Sequence, residues 1–160
     1  MRVKEGNKEK DIIEAAIKVF AKYGYHNSKI SKIAETANVA TGSVYVYYKN
    51  KEDILLKIFL ELWSRLYSEL DIIASNWSIS SIEKLDAMID LIFDVFAEKP
   101  DLAMVFVNEQ NHLERSNKKE FTNYYDKFLD KGEVIVRKGI SDGLISENID
   151  ITIFRNFVFG

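Results

Sequence analysis

The sequence predicts an all-α protein in which an N-terminal three-helix helix-turn-helix domain is joined by one long helix to a larger C-terminal helical domain. Three observations predict this. Apolar residues recur at three- and four-residue spacings along most of the chain. One proline and seven glycines in 160 residues supply little of the turn punctuation that a β-rich fold requires. Residues 28–51 read as two short helices around a tight turn, with small, hydroxyl and tyrosine residues on one face. A chain of this length that is 47% hydrophobic can bury a real core.

The first helix spans about Lys8 to Tyr23, where Ile13, Ala16, Ile17 and Phe20 form a buried stripe and Gly24 ends it. Ser28 is placed to cap a second helix of about two turns with Ile30, Ile33, Ala34 and Ala37 inward. Asn38 occupies the turn because it tolerates positive φ better than other residues except glycine. Val39 then plugs the angle between helices. The third helix, Thr41 to Tyr48, turns Val44 and Tyr47 inward and leaves Thr41, Gly42, Ser43, Tyr45 and Val46 outside. An outward face with no acidic residue suits a polyanion. Asn50 caps the fourth helix, whose start beside Lys49 and Lys51 offers backbone N–H groups to a phosphate.

That fourth helix runs from Lys51 to about Ala74, with Leu55, Ile58, Phe59, Leu62, Trp63, Leu66, Leu70 and Ile73 in a stripe too wide for one partner. A polar break at residues 76–81 precedes a fifth helix marked by Leu85, Met88, Ile89, Ile92, Phe93 and Phe96. Pro100 begins a sixth, apolar nearly all round through Leu102, Met104, Val105, Phe106 and Val107 and so expected at the centre. A seventh follows from about Asn117 to Lys138, with Phe121, Tyr124, Tyr125, Phe128, Leu129 and Ile135 inward, and Gly139 and Gly143 bracket the turn after it. From Asp150 an eighth begins, with Ile153, Phe154, Phe157 and Val158 on one apolar face.

Charge divides along the chain. Residues 1–52 hold ten Lys/Arg against six Asp/Glu, a net of +4, and the remainder holds twelve against nineteen, a net of −7. The basic half contains the helix-turn-helix, as a nucleic-acid-binding part requires.

Residues 12–58 resemble the DNA-binding domain of the TetR family of bacterial transcriptional regulators. Phe20, Gly24 and Tyr25 stand at that family's first-helix Phe and Gly-Tyr, and Ile33-Ala34 at its Ile-Ala pair. Gly42, Tyr45, Tyr47, Tyr48, Lys49, Asn50 and Lys51 fall on its Gly-x-x-Tyr-x-Tyr-Phe-x-Asn-Lys run. The departures are Asn38 for the usual turn Gly, Ala40 for Ser, Thr41 for Lys, Val46 for His and Tyr48 for Phe, and they bear on which bases are read.

The resemblance implies a homodimeric, ligand-responsive repressor of a near-palindromic double-stranded DNA operator. It assigns residues 1–50 to DNA binding and 51–160 to effector binding and dimerisation. Thr41, Gly42, Ser43 and Val46 are expected at the groove, Ser28, Tyr45, Tyr48 and Lys51 at phosphates, and Lys29 and Lys32 near the backbone. An effector pocket is implied among the fourth to eighth helices, with Phe59, Trp63, Tyr67, Phe93, Phe96, Met104, Phe106, Tyr124 and Phe128 as candidate lining residues. The same aromatic stripe also suits an ordinary core. Gly24-Tyr25-His26, Ser31-Lys32-Ile33-Ala34, Val39-Ala40 and residues 49–55 are most similar to the TetR-type regulators of fatty-acid degradation, which implies a fatty acyl-CoA effector. Arg115, Lys118 and Lys119 are candidates for its phosphates. Family members run further than Gly160, so the C-terminal domain is expected to be cut short here.

Two other classes compete. Glu109 and His112 have the Glu-x-x-His spacing of carboxylate-bundle metal enzymes, but the second such pair is absent because Tyr23 stands three residues before His26. No serine nucleophile motif, phosphate-binding glycine loop or paired zinc ligands occur. The expectation is no catalysis, no metal and no cofactor. A bare protein-interaction module is the remaining alternative. Without a long apolar run or a secretory signal, a cytoplasmic protein with no membrane partner is expected. The lack of cysteine excludes disulfides and thiol chemistry.

Overall fold

The computed structural model describes residues 8–115 and 119–153, with the side chains of residues 114, 115 and 120–122 left aside. The described residues form seven helices and no strand: α1 (Lys8–Tyr23), α2 (Ile30–Thr36), α3 (Thr41–Tyr47), α4 (Lys51–Ser75), α5 (Ser81–Glu98), α6 (Pro100–Arg115) and α7 (Lys119–Ser141). They pack as two compact units. The first is Met1–Glu61 with Phe96–Phe121, and the second is Leu62–Val95 with Thr122–Gly160. Packing therefore does not divide at residue 50, because the first turns of α4 and all of α6 belong with the helix-turn-helix.

In the first unit α1 is the hub, in contact with α2, α3 and α6. Serving partners on several sides widens its buried face to Ile12, Ile13, Ala15, Ala16, Val19 and Phe20, while Ile17, expected inward, is only half-buried. Gly24 (φ 76°) ends α1 by donating its N–H to the Phe20 carbonyl at 2.9 Å. Ile33 and Ala34 of α2 and Val44 of α3 complete the core with Ile54, Leu55 and Ile58.

The turn between α2 and α3 has the expected chemistry. Asn38 is in the left-handed region (φ 56°), its N–H bonds the Glu35 carbonyl at 3.1 Å and the Val39 N–H bonds that of Ala34 at 3.0 Å. These two bonds satisfy carbonyls that the helix end would otherwise leave open. The same device recurs after α7, where Gly143 (φ 73°) donates to Ile140 at 3.0 Å and Leu144 to Gly139 at 2.9 Å. Gly139 is thus inside the last turns of α7 rather than a turn residue. A Cβ there would meet Ile145 Cδ1 at 2.6 Å, so the Ile145 side chain would have to shift to admit one.

Capping differs from expectation at the start of α2 and agrees with it at the start of α4. The Ser28 hydroxyl turns back to the Gly24 carbonyl at 2.6 Å, and Lys29, in extended conformation, stands at the α2 N-cap without a side-chain bond. At α4, Asn50 Oδ1 accepts the Asp53 N–H at 2.9 Å and Asp53 Oδ2 accepts the Lys49 N–H at 3.2 Å. The Asn50 cap fills part of the N–H cluster that the sequence offered to phosphate. Ser80 and Glu83 form a full capping box at α5, and the Ser80 hydrogen bonds hold the Glu83 carboxyl below the usual carboxylate range.

Two stripes are rotated from their expected positions. α6 is amphipathic rather than central, since Leu102, Val105, Phe106, Glu109 and Leu113 are buried while Met104 and Val107 are exposed. In the second unit α5 buries Met88, Leu91 and Val95 and leaves Ile89 and Phe93 outside. α4 and α7 agree better. Leu62, Trp63, Leu66 and Leu70 of α4 are buried, as are Phe128, Leu129 and Ile135 of α7, with Trp63 edge-on to Tyr125 at 5.1 Å. Phe121 has no described side chain, and Phe154, Phe157 and Val158 of the expected eighth helix lie outside the described residues, of which 151–153 are helical.

Candidate nucleic-acid interface

α3 is seven residues long and carries no acidic or basic side chain. Val44 anchors it with no exposed surface, and the opposite face presents Thr41, Gly42, Tyr45 and Val46 to solvent, with Ser43 half-buried at its side. Tyr47 and Tyr48 exchange the expected places: Tyr47 is 41% exposed and Tyr48 only 6%. The reason is local. Tyr48 is the C-cap of α3 and has left the helix for extended backbone (φ −135°, ψ 131°), so helical periodicity no longer sets its direction. Its hydroxyl reaches Glu9 Oε1 of α1 at 3.1 Å, and burial together with that carboxylate pushes the phenol well above its ordinary pKa.

Lys51 also has partners that the sequence did not suggest. Its Nζ donates to the carbonyls of Tyr25 at 2.7 Å, His26 at 2.9 Å and Ser28 at 3.3 Å, and lies 4.5 Å from the centre of the Tyr25 ring. An ammonium has three donors, and all three are occupied here. The lysine thereby ties the start of α4 to the α1–α2 loop. Buried Tyr25 packs edge-on to Phe20 at 5.4 Å, and burial, with Glu52 and Glu109 nearby, raises its phenol pKa to about 12. Ser28 is buried against the same loop. Of the residues expected at DNA, then, Lys29, Thr41, Gly42, Tyr45 and Val46 are exposed, Ser43 is half-buried, and Ser28, Tyr48 and Lys51 make the internal bonds that hold the loop and α3 in place.

Exposed lysines bracket the α2–α3 pair along the chain. Lys29 stands at the α2 N-cap and Lys49 before α4, whereas Lys32 is paired with Glu35 at 2.9 Å. A hydroxyl-rich, uncharged helix between exposed cations can reach a groove while cations contact the rims.

The chain matches the family model described as "Bacterial regulatory proteins, tetR family" over residues 12–58, and that described as "Tetracyclin repressor-like, C-terminal domain" over residues 78–160, more than half its length. It belongs to the TetR family. Among this TetR-family member's relatives is the fatty acid metabolism regulator protein of Bacillus subtilis (strain 168), 38% identical over 152 residues that span 93% of this chain and 76% of that protein. Two solved structures are similar across the fold. The fatty acid degradation regulator FadR from Bacillus halodurans has a TM-score of 0.83 and 30% identity, covering 99% of this chain and 81% of that one. FadR from Bacillus subtilis, solved in complex with stearoyl-CoA, has a TM-score of 0.78 and 35% identity, covering 94% and 81%.

The effector-pocket candidates of this TetR regulator divide between the two units. In the first, Phe106 stacks on Phe59 at 5.7 Å and meets Phe96 at 5.2 Å, while Met104 is exposed. In the second, Trp63 packs against Phe128 at 5.6 Å, Tyr67 and Tyr124 are half-buried, and Phe93 is 69% exposed. A cavity of about 420 Å³ in the second unit is lined by other residues, including Trp77, Ile79, Lys84 and Ile135. Lys118 lies outside the described residues, and the side chain of Arg115 is not described.

Glu109 and His112 face the α1–α2 loop, where His112 meets the chain's other histidine. Glu109 is buried and accepts the Tyr25 N–H at 3.4 Å, while the His112 ring lies 4.8 Å from Tyr25 and 5.6 Å from His26. Among the described residues, no group of three or more His, Asp or Glu side chains is placed to hold a metal ion. Nor is any described helix long and apolar enough to cross a membrane.

Proposed function

We propose that this regulator is a cytoplasmic homodimeric repressor that binds a near-palindromic operator through α3 and is released by a long-chain fatty acyl-CoA. The observation that carries the DNA reading is the uncharged, outward face of α3, held in register by Asn38, Tyr48 and Lys51 and flanked by Lys29 and Lys49. Thr41, Gly42, Ser43 and Val46 meet base edges, Tyr45 and Tyr47 join them at the groove wall, and Lys29 and Lys49 contact phosphates. Ser28, Tyr48 and Lys51 act behind them as positioning residues. Two heads in a dimer would read half-sites about one turn, roughly 34–36 Å, apart or somewhat wider.

The acyl-CoA reading is supported by the FadR relative that binds stearoyl-CoA at 35% identity across most of this chain. The aromatic and Met candidates on α4–α7 suit an acyl chain, and basic groups suit the nucleotide phosphates. α4 contributes Lys51–Glu61 to the first unit and residues from Leu62 onward to the second, so one helix runs from the positioning lysine to Trp63 and Tyr67. A ligand that favours the DNA-incompetent arrangement by about 1–3 kcal/mol lowers DNA affinity some 5- to 150-fold. The regulator performs no catalysis in this reading. The metal-enzyme alternative is not favoured, because the His26–His112–Glu109 cluster serves the packing of α6 on the α1–α2 loop.

Selection of duplexes from a random pool, followed by binding at increasing salt, tests the reading. A palindromic consensus and a log–log salt slope of several units are expected. A chain that enriches no sequence and shows no salt dependence is not an operator-binding protein.

A further inference from the structure

Gly42 and Val46 stand at the centre of the α3 face turned away from the core, four residues apart and opposite buried Val44. Val46 is 78% exposed, so its methyl groups are open to a partner that meets this face of α3. Gly42 is unexplained from within. Its backbone is not in the left-handed region, and a Cβ added there would meet nothing within 4 Å. Neither backbone conformation nor internal packing requires a glycine, which weakens the helix relative to alanine.

The chemistry of this face is narrow. α3 has no Arg or Lys to fork onto guanine O6 and N7, and no Asn or Gln to pair with adenine N6 and N7. Hydroxyls can donate or accept and so discriminate weakly between bases. The Val46 methyls have one distinctive counterpart in the major groove, the C5-methyl of thymine.

The geometry points to Val46 as a specificity-determining residue that reads a thymine through its C5-methyl, with Gly42 leaving room for the base edge to come close. This rests on the reading that α3 enters a major groove, and it names what that helix selects. The contact is apolar and needs no charge, in accord with a recognition helix that carries none.

The test uses a duplex recovered from a random pool by the native chain. Each thymine is replaced in turn by deoxyuridine, which removes the methyl and keeps every hydrogen-bonding group. One thymine per half-site is expected to be sensitive, with affinity falling about fourfold, the value of burying one methyl-sized group. The Val46→Ala chain should melt like the native one, bind the unmodified duplex more weakly and lose the sensitivity at that thymine. If the native chain binds and no thymine is sensitive, or if the same thymine stays equally sensitive in Val46→Ala, the inference fails while the operator reading stands. If the native chain recovers no duplex at all, both fail.

Discussion

Tyr48 donates its phenolic hydrogen to Glu9 Oε1 at 3.1 Å, so the last residue of the recognition hairpin is tied to the first turn of α1 across 39 positions of sequence. The bond ties the C-terminal end of α3 to α1. Tyr48→Phe keeps the ring and removes one hydrogen bond to a charged group, at a cost of about 1.5–3 kcal/mol at most and less with Glu9 half exposed. Urea unfolding of the variant should show the loss, and DNA affinity should fall without a change in consensus.

Alkaline pH should unfold the head in a defined window. Burial and nearby carboxylates raise the Tyr25 phenol from 10 to about 12 and shift Tyr48 upward too. The unfolded chain thus releases these protons at lower pH than the folded one. The stability they contribute is present below pH 10 and is lost as pH rises from 10 towards 12. A Tyr25→Phe variant should show a flatter decline over that range, as followed by circular dichroism.

Lys51 and Lys49 should separate in salt titrations. Lys51 has its three donors on backbone carbonyls, whereas Lys49 is exposed beside the proposed groove. Lys49→Ala is expected to reduce the log–log salt slope by about one per head, as for a lost phosphate contact. Lys51→Ala should instead lower stability and affinity together with little change in slope.

Gly42→Ala should move stability and binding in opposite directions. The helical site has open space around it, so alanine gains about 0.5–1 kcal/mol in helix propensity. The added methyl faces the groove, where crowding of a close contact typically costs about 1–3 kcal/mol. A higher melting temperature with weaker operator binding is the expected pair of results. At the neighbouring turn, Asn38 (φ 56°) should accept glycine with little loss, while Asn38→Val loses roughly 1–2 kcal/mol.

Features set by near neighbours were legible in the sequence. The order of helices, the left-handed Asn38 and the Asn50 cap all follow from residues within five positions. What escaped depends on distant or non-helical geometry. Tyr48 could not be placed by periodicity once it left the helix, and the carbonyls that hold Lys51 lie 23 to 26 residues away. Ser28 was legible as a capping type, yet its hydroxyl found the open carbonyl of Gly24 behind it. His26 and His112 are 86 positions apart, and no local pattern announces their contact. The rotated stripes of α5 and α6 have a related cause: the apolar residues of α5 and of the first half of α6 spread over more than one face, so pattern alone leaves open which of them is buried.

Titration of stearoyl-CoA into the complex of this chain with its selected duplex, followed by fluorescence anisotropy with free coenzyme A as control, tests the central claim most directly. The predicted result is release of DNA, with affinity lowered about 5- to 150-fold by stearoyl-CoA and unchanged by coenzyme A alone. Unchanged DNA affinity at concentrations where stearoyl-CoA saturates the FadR relative would contradict a regulator released by fatty acyl-CoA.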